Sequence, residues 1–172
     1  MNQQVEIGII GEFDPDLRYH IATNEALDHA ANALLEYARN ALSITDAEHE
    51  ETALNTPTLV VSKLACSLVG KAQTIKILTG SPFHNSYGRD EVTEQFVCNY
   101  GLNPKFRDSI EKGQLKAAGV DLDGEIRAIE LTDHPFFVGT LYQPQISSTP
   151  EIPHPIIVAY LLAALELQMK GK

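Results

Sequence analysis

Residues 134–150 read HPFFVGTLYQPQISSTP. The apolar run from Phe136 to Tyr142 predicts a buried strand. It stops at the polar tetrad Tyr142-Gln143-Pro144-Gln145. A strand that delivers polar side chains at its carboxyl end is how α/β domains present a site. Gln143 and Gln145 are amides, however. They donate and accept hydrogen bonds, but neither can serve as a base or carry charge near neutral pH. The edge has the layout of a catalytic one and lacks a titratable group.

Working outward, the flanking segments predict the rest of an α/β domain. Val5 to Ile10, closed by Gly11, reads as a buried first strand. Asp14-Pro15 supplies a helix start, with Asp as cap and Pro at the first helical position. A stripe through Leu27, Ala31, Leu34, Leu35, Ala38 and Leu42 continues that helix to residue 42, unless a break near Thr23-Asn24 divides it. The acidic stretch 45–56 reads as a loop. Strands are expected over 58–64, 71–78 and 92–97, and a short helix from Pro104 to Glu111. Residues 115–120 and 126–131 flank Asp121-Leu122-Asp123-Gly124, a hairpin signal. Ile156 to Met169 predicts a final amphipathic helix. A single domain over 1–172 with a mixed sheet follows.

Bulk composition narrows the function classes. The 172 residues are 44% hydrophobic and carry a formal net charge of −10. Phosphate backbones and anionic lipid would repel such a chain, so neither nucleic acid nor membrane is an expected partner. No apolar run approaches the roughly 20 residues of a membrane span. The opening MNQQVEIGIIGEFD lacks the basic start and long apolar stretch of a signal peptide. Cys66 and Cys98 do not make a disulfide framework, and a reducing cytoplasm is the expected location. Gly8-Ile9-Ile10-Gly11 is too apolar for a phosphate loop, so no cofactor is expected. Asp46, Glu48, His49, Glu50 and Glu51 have no ligand spacing and read as a solvated charge run rather than a metal site.

Several blocks carry a family resemblance. Val5 to Glu12, Glu25-Ala26-Leu27-Asp28-His29-Ala30, Tyr87-Gly88-Arg89-Asp90-Glu91-Val92 and Tyr100-Gly101-Leu102-Asn103-Pro104 recur in order. Asp133-His134-Pro135-Phe136-Phe137-Val138-Gly139-Thr140, Ser148-Thr149-Pro150 and His154-Pro155 complete the set. Together they resemble the class I glutamine amidotransferase domain of the CTP synthase type. The resemblance implies a mixed, mainly parallel sheet flanked by helices. It also implies a Cys on a Gly-x-Cys-x-Gly elbow, activated by a His-Pro-Glu segment after the last strand. Here that segment is Gln143-Pro144-Gln145. Neither Cys66 nor Cys98 has Gly two residues to either side, and no Pro-Gly-Gly oxyanion loop occurs. In the family those features lie between the first helix and a later one. Leu34 to Leu42 resembles the later helix and follows the first directly, which implies an internal deletion and a truncated fold. Val5–Ile10 is then expected beside Phe137–Tyr142, or a homodimer is expected to bury the exposed edge.

These readings set the functional expectations. No catalytic residue is assigned. Gln143 and Gln145 are degenerate triad positions, and with Tyr100 and Asn103 they are the candidate ligand-binding residues. Cys66 and Cys98 are expected to be buried and inert, given apolar neighbours that raise a thiol pKa. His134 and His154 are expected to be scaffold residues. The chain is expected to be a non-catalytic binding or assembly module, partnered by a second copy or by a synthetase or paralogue. Two alternatives stay open. One is amide nitrogen transfer or other chemistry in the same pocket. The other is a small-molecule- or metal-binding regulator.

Overall fold

The computed structural model describes residues 31–53 and 56–170. Among the described residues two sheets form the body. A three-stranded sheet has the order β1-β2-β5, built from Glu48–His49, Leu59–Lys63 and Tyr100–Leu102. A five-stranded sheet has the order β4-β3-β6-β7-β8. Its strands are β3 Lys71–Ile77, β4 Glu91–Phe96, β6 Leu115–Val120, β7 Ile126–Leu131 and β8 Val138–Thr140. The helices are α1 (31–40), α2 (Pro82–Tyr87), α3 (Arg107–Lys112) and α4 (Pro155–Lys170).

The α/β class and the mixed sheets are as expected, but strand direction departs from a mainly parallel sheet. Among the described residues only β1 and β2 pair in parallel, and the other ladders are antiparallel. Short connections explain this, because parallel neighbours need a long crossover whereas tight turns and a six-residue helix return the chain antiparallel. The expected first strand, Val5–Ile10, and the first part of the long helix lie outside the described residues.

Local chemistry sets each connection. The Ser81 hydroxyl accepts from His84 N–H, Pro82 opens α2, and Gly88 at φ +63° closes it in the left-handed region. No helix is among the sequence expectations between the strands at 71–78 and 92–97. The Glu130 carboxylate, buried near the end of β7, accepts from Phe83 N–H at 3.0 Å and ties α2 to the sheet. The β6–β7 hairpin forms as predicted. Asp121 Oδ1 accepts from Asp123 N–H and Glu125 N–H, and its Oδ2 takes Arg127 at 2.7 Å in a buried pair.

The remaining differences have physical causes. The strand expected over Phe136–Tyr142 shrinks to Val138–Thr140, half-buried, because β8 borders its sheet with no described strand beyond it. The acidic loop contains the short β1. Cys66 is exposed, not buried: in the link from β2 to β3 it is Leu68 that turns inward. Cys98 is buried as expected. Two apolar clusters fill the body. One surrounds Ile75, Phe83, Phe96 and Tyr142; the other surrounds Leu35, Ala38, Val60 and Ile110. The final helix is not amphipathic. Its sequence PIIVAYLLAALELQMK is apolar on all sides, yet Ile156 is its one buried residue.

Candidate functional site

The site begins where β8 ends. Tyr142 and Gln143 are both sealed from solvent, and the chain then turns through a single 3-10 turn at Pro144–Ile146. Gln143 N–H donates to Gln95 O at 3.2 Å, which holds the turn against β4. The Gln143 side chain is 2% exposed, and among the described residues neither its Oε1 nor its Nε2 has a hydrogen-bond partner. Gln145 is exposed on the outer side of the turn. The two degenerate positions therefore occupy different environments.

Next to Tyr142 lies a polar network that the sequence reading missed. Tyr142 Oη and Tyr87 Oη are 2.8 Å apart, and Tyr87 donates to Glu94 Oε1 at 2.7 Å. His154 Nε2 lies 3.0 Å from the same carboxylate oxygen. His154 Nδ1 accepts from Ile156 N–H, so the ring proton sits on Nε2 and is donated to Glu94. Tyr87 already gives its proton to Glu94, so Tyr142 is the donor between the two phenols. Burial drives the pKa of both phenols far above the usual value, reinforced at Tyr87 by Tyr142 and Glu94, and they stay neutral. The signal was in β4: Val92, Glu94 and Phe96 alternate onto one face, which places a carboxylate in a buried register.

This network contains a histidine paired with a carboxylate, but not in a form that activates a nucleophile. Both side chains are 4% exposed, and the groups against them are phenols that hold their protons. His154 is a scaffold residue, as expected, because it ties the start of α4 to β4. His134 is exposed at the turn before β8, with its ring against Phe137.

A separate cavity of about 360 Å³ lies between β5 and the β7–β8 edge, with α1 closing one side. Tyr100 lines it, whereas Asn103, Gln143 and Gln145 do not. The four candidate ligand residues are thus not gathered around one space. Asn103 instead caps the turn at Pro104, accepting from Lys105 N–H and donating to Leu59 O. The polar lining includes His49, whose ring is tilted against that of Tyr100 with centroids 4.9 Å apart, and Arg127, whose charge is met by Asp121. Cys98 also lines it. Burial pushes its thiol up to about 11, against a weaker pull down from Arg127, and Sγ–H donates to Leu141 O at 3.4 Å. Such a thiol is protonated at neutral pH and a poor nucleophile.

The acidic stretch is occupied by structural bonds. Asp46 accepts from the Thr58 hydroxyl, Glu48 pairs with Arg39, and Glu50 accepts from Lys63 N–H. Among the described residues no group of three or more His, Cys, Asp or Glu is placed to hold a metal ion.

Comparison with known proteins places this geometry. No protein-family model matches the chain. CTP synthase of Flavobacterium johnsoniae is 34% identical over 148 residues, which is 80% of this chain and 28% of that protein. CTP synthase of Treponema pallidum is 34% identical over 143 residues, covering 78% of this chain and 25% of the relative. The chain therefore spans about a quarter of the length of these curated relatives. Among solved structures, the Trypanosoma brucei CTP synthase glutaminase domain with bound acivicin superposes with a TM-score of 0.74 at 20% identity. The match covers 91% of this chain and 69% of that one. The chain is thus a CTP synthase relative, with the α/β fold of that enzyme's class I glutamine amidotransferase domain.

Proposed function

We propose that this chain is a CTP synthase-related, glutamine amidotransferase-like domain that does not hydrolyse glutamine and acts as a binding or assembly module in pyrimidine metabolism. The observation that carries this reading is Gln143. It holds the place that the family resemblance gives to the catalytic histidine. Its amide can neither take a proton from a thiol nor be oriented to do so by Gln145. Both cysteines support the reading: Cys98 is buried and protonated, and Cys66 has no glycine elbow. Loss of a single part of a catalytic triad can leave residual rate through an oxyanion hole, whereas loss of every part removes that route. The partner is a second copy of the chain or a synthetase-type protein. A glutaminase assay on the purified chain tests the proposal. No turnover above the uncatalysed rate is expected, and turnover abolished by Cys66→Ala or Cys98→Ala would overturn it.

The cavity beside Tyr100 favours a second reading, a small-molecule regulator. Apolar walls with a few polar groups suit a modest ligand. Calorimetric titration with CTP, UTP, glutamine and zinc separates the two readings. Saturable heat that Tyr100→Ala removes supports the regulator; its absence leaves the assembly module.

A further inference from the structure

Glu94 is served on one oxygen only. Its Oε1 accepts from Tyr87 and from His154, both neutral donors. Its Oε2 is buried and, among the described residues, has no hydrogen-bond partner. One strand across, Gln73 stands directly opposite Glu94 in the β3–β4 ladder. Opposed residues of an antiparallel pair set their side chains on the same face, with Cβ atoms about 4.5–5.5 Å apart. Gln73 Oε1 is likewise buried and, among the described residues, without a partner. Two facing side chains thus each bring an acceptor oxygen that lacks a donor.

The neighbours on that face narrow what can serve them. Register puts Ile75 and Val92 on one side of the pair, and Lys71 and Phe96 on the other. Ile75 and Phe96 are fully buried, and with Val92 they offer no donor; Lys71 is exposed at the start of β3. A buried oxygen left without a donor is costly, and folded proteins meet such groups with ordered water where side chains do not. We propose that one internal water molecule bridges Gln73 and Glu94, donating one hydrogen to Gln73 Oε1 and the other to Glu94 Oε2. Its two hydrogens match the two oxygens. A hard cation such as calcium or magnesium gathers about six oxygen ligands, far more than this pair supplies. The bridge ties β3 into the buried quartet around Glu94, and it stands whether or not the chain hydrolyses glutamine.

A crystal structure of the full chain, at a resolution that shows ordered water, tests the bridge. A water within hydrogen-bond distance of both oxygens is the expected result. Water magnetic relaxation dispersion gives a second reading in solution. The wild type should hold one more long-lived internal water than Gln73→Met, which keeps the length of the side chain and removes its acceptor. Circular dichroism should show the same fold for both. Direct contact between the Gln73 amide and Glu94 Oε2 would overturn the proposal. So would another side chain donating in the water's place, or equal dispersion in the wild type and Gln73→Met.

Discussion

His154 Nε2 and Glu94 Oε1 lie 3.0 Å apart, each side chain 4% exposed, and join the start of α4 to the middle of β4. Removing one member of a buried, hydrogen-bonded pair leaves the other uncompensated, at a cost of about 3 kcal/mol. His154→Ala should therefore lower the urea midpoint clearly. Tyr142→Phe removes one neutral hydrogen bond and should cost about 1 kcal/mol. A double-mutant cycle between these changes should show coupling through Tyr87. Strict additivity would mean that the four groups do not act as one network.

Tyr37 supplies the second test. Its hydroxyl oxygen accepts from Gln114 N–H at 2.8 Å and Leu115 N–H at 3.1 Å, locking α1 onto the start of β6. A Cβ on Gly113 would fall 2.0 Å from that hydroxyl. Gly113→Ala should displace the ring, so it and Tyr37→Phe should each destabilise by roughly 1–3 kcal/mol through unpaired backbone donors. The double variant should cost clearly less than the sum, as chemical denaturation would show.

Gln143 gives an opposite sign. Its amide is buried, and among the described residues neither polar atom is bonded, which leaves the loss of hydration uncompensated. Gln143→Met conserves length and removes both orphan atoms. We expect a gain of about 1 kcal/mol in unfolding free energy. A loss of stability would show that the amide has a partner in solution.

The thiols should separate cleanly. Cys66 is exposed and should react with a disulfide reagent in the native protein, whereas Cys98 should react only on unfolding. The folded state holds the Cys98 proton up to about pH 11, while an unperturbed thiol releases it near 9.0. The unfolded chain binds fewer protons between these values, so the contribution of Cys98 to stability falls as pH rises through that window. Cys98→Ala should flatten this alkaline slope in unfolding titrations.

Much of the body was legible because it rests on local rules. The hairpin at Asp121–Gly124 appeared at its predicted strands because Asp and Gly dictate the turn. Gln143 and Gln145 were recognisable because substitution of a titratable residue by an amide is visible in the letters alone. The buried quartet around Glu94 was not, because its members come from α2, β4, the end of β8 and the approach to α4. Only tertiary packing joins residues 87, 94, 142 and 154. Cys66 was misplaced because a run of apolar neighbours does not reveal which of them a loop turns outward. The length of β8 was misjudged because an apolar run does not say whether a neighbouring strand exists to pair with it.

The bond from Phe83 N–H to Glu130 has a mechanical consequence. It moors the short helix α2 to the floor of the sheet, independently of the Ser81 cap that ties it to the chain leading in. Leu78 is tied at both backbone groups, its N–H to Ala118 O and its carbonyl to the Ser81 hydroxyl. Only Thr79 and Gly80 are then slack rope: a link added between them would lengthen the tether and leave the helix aimed in the same direction.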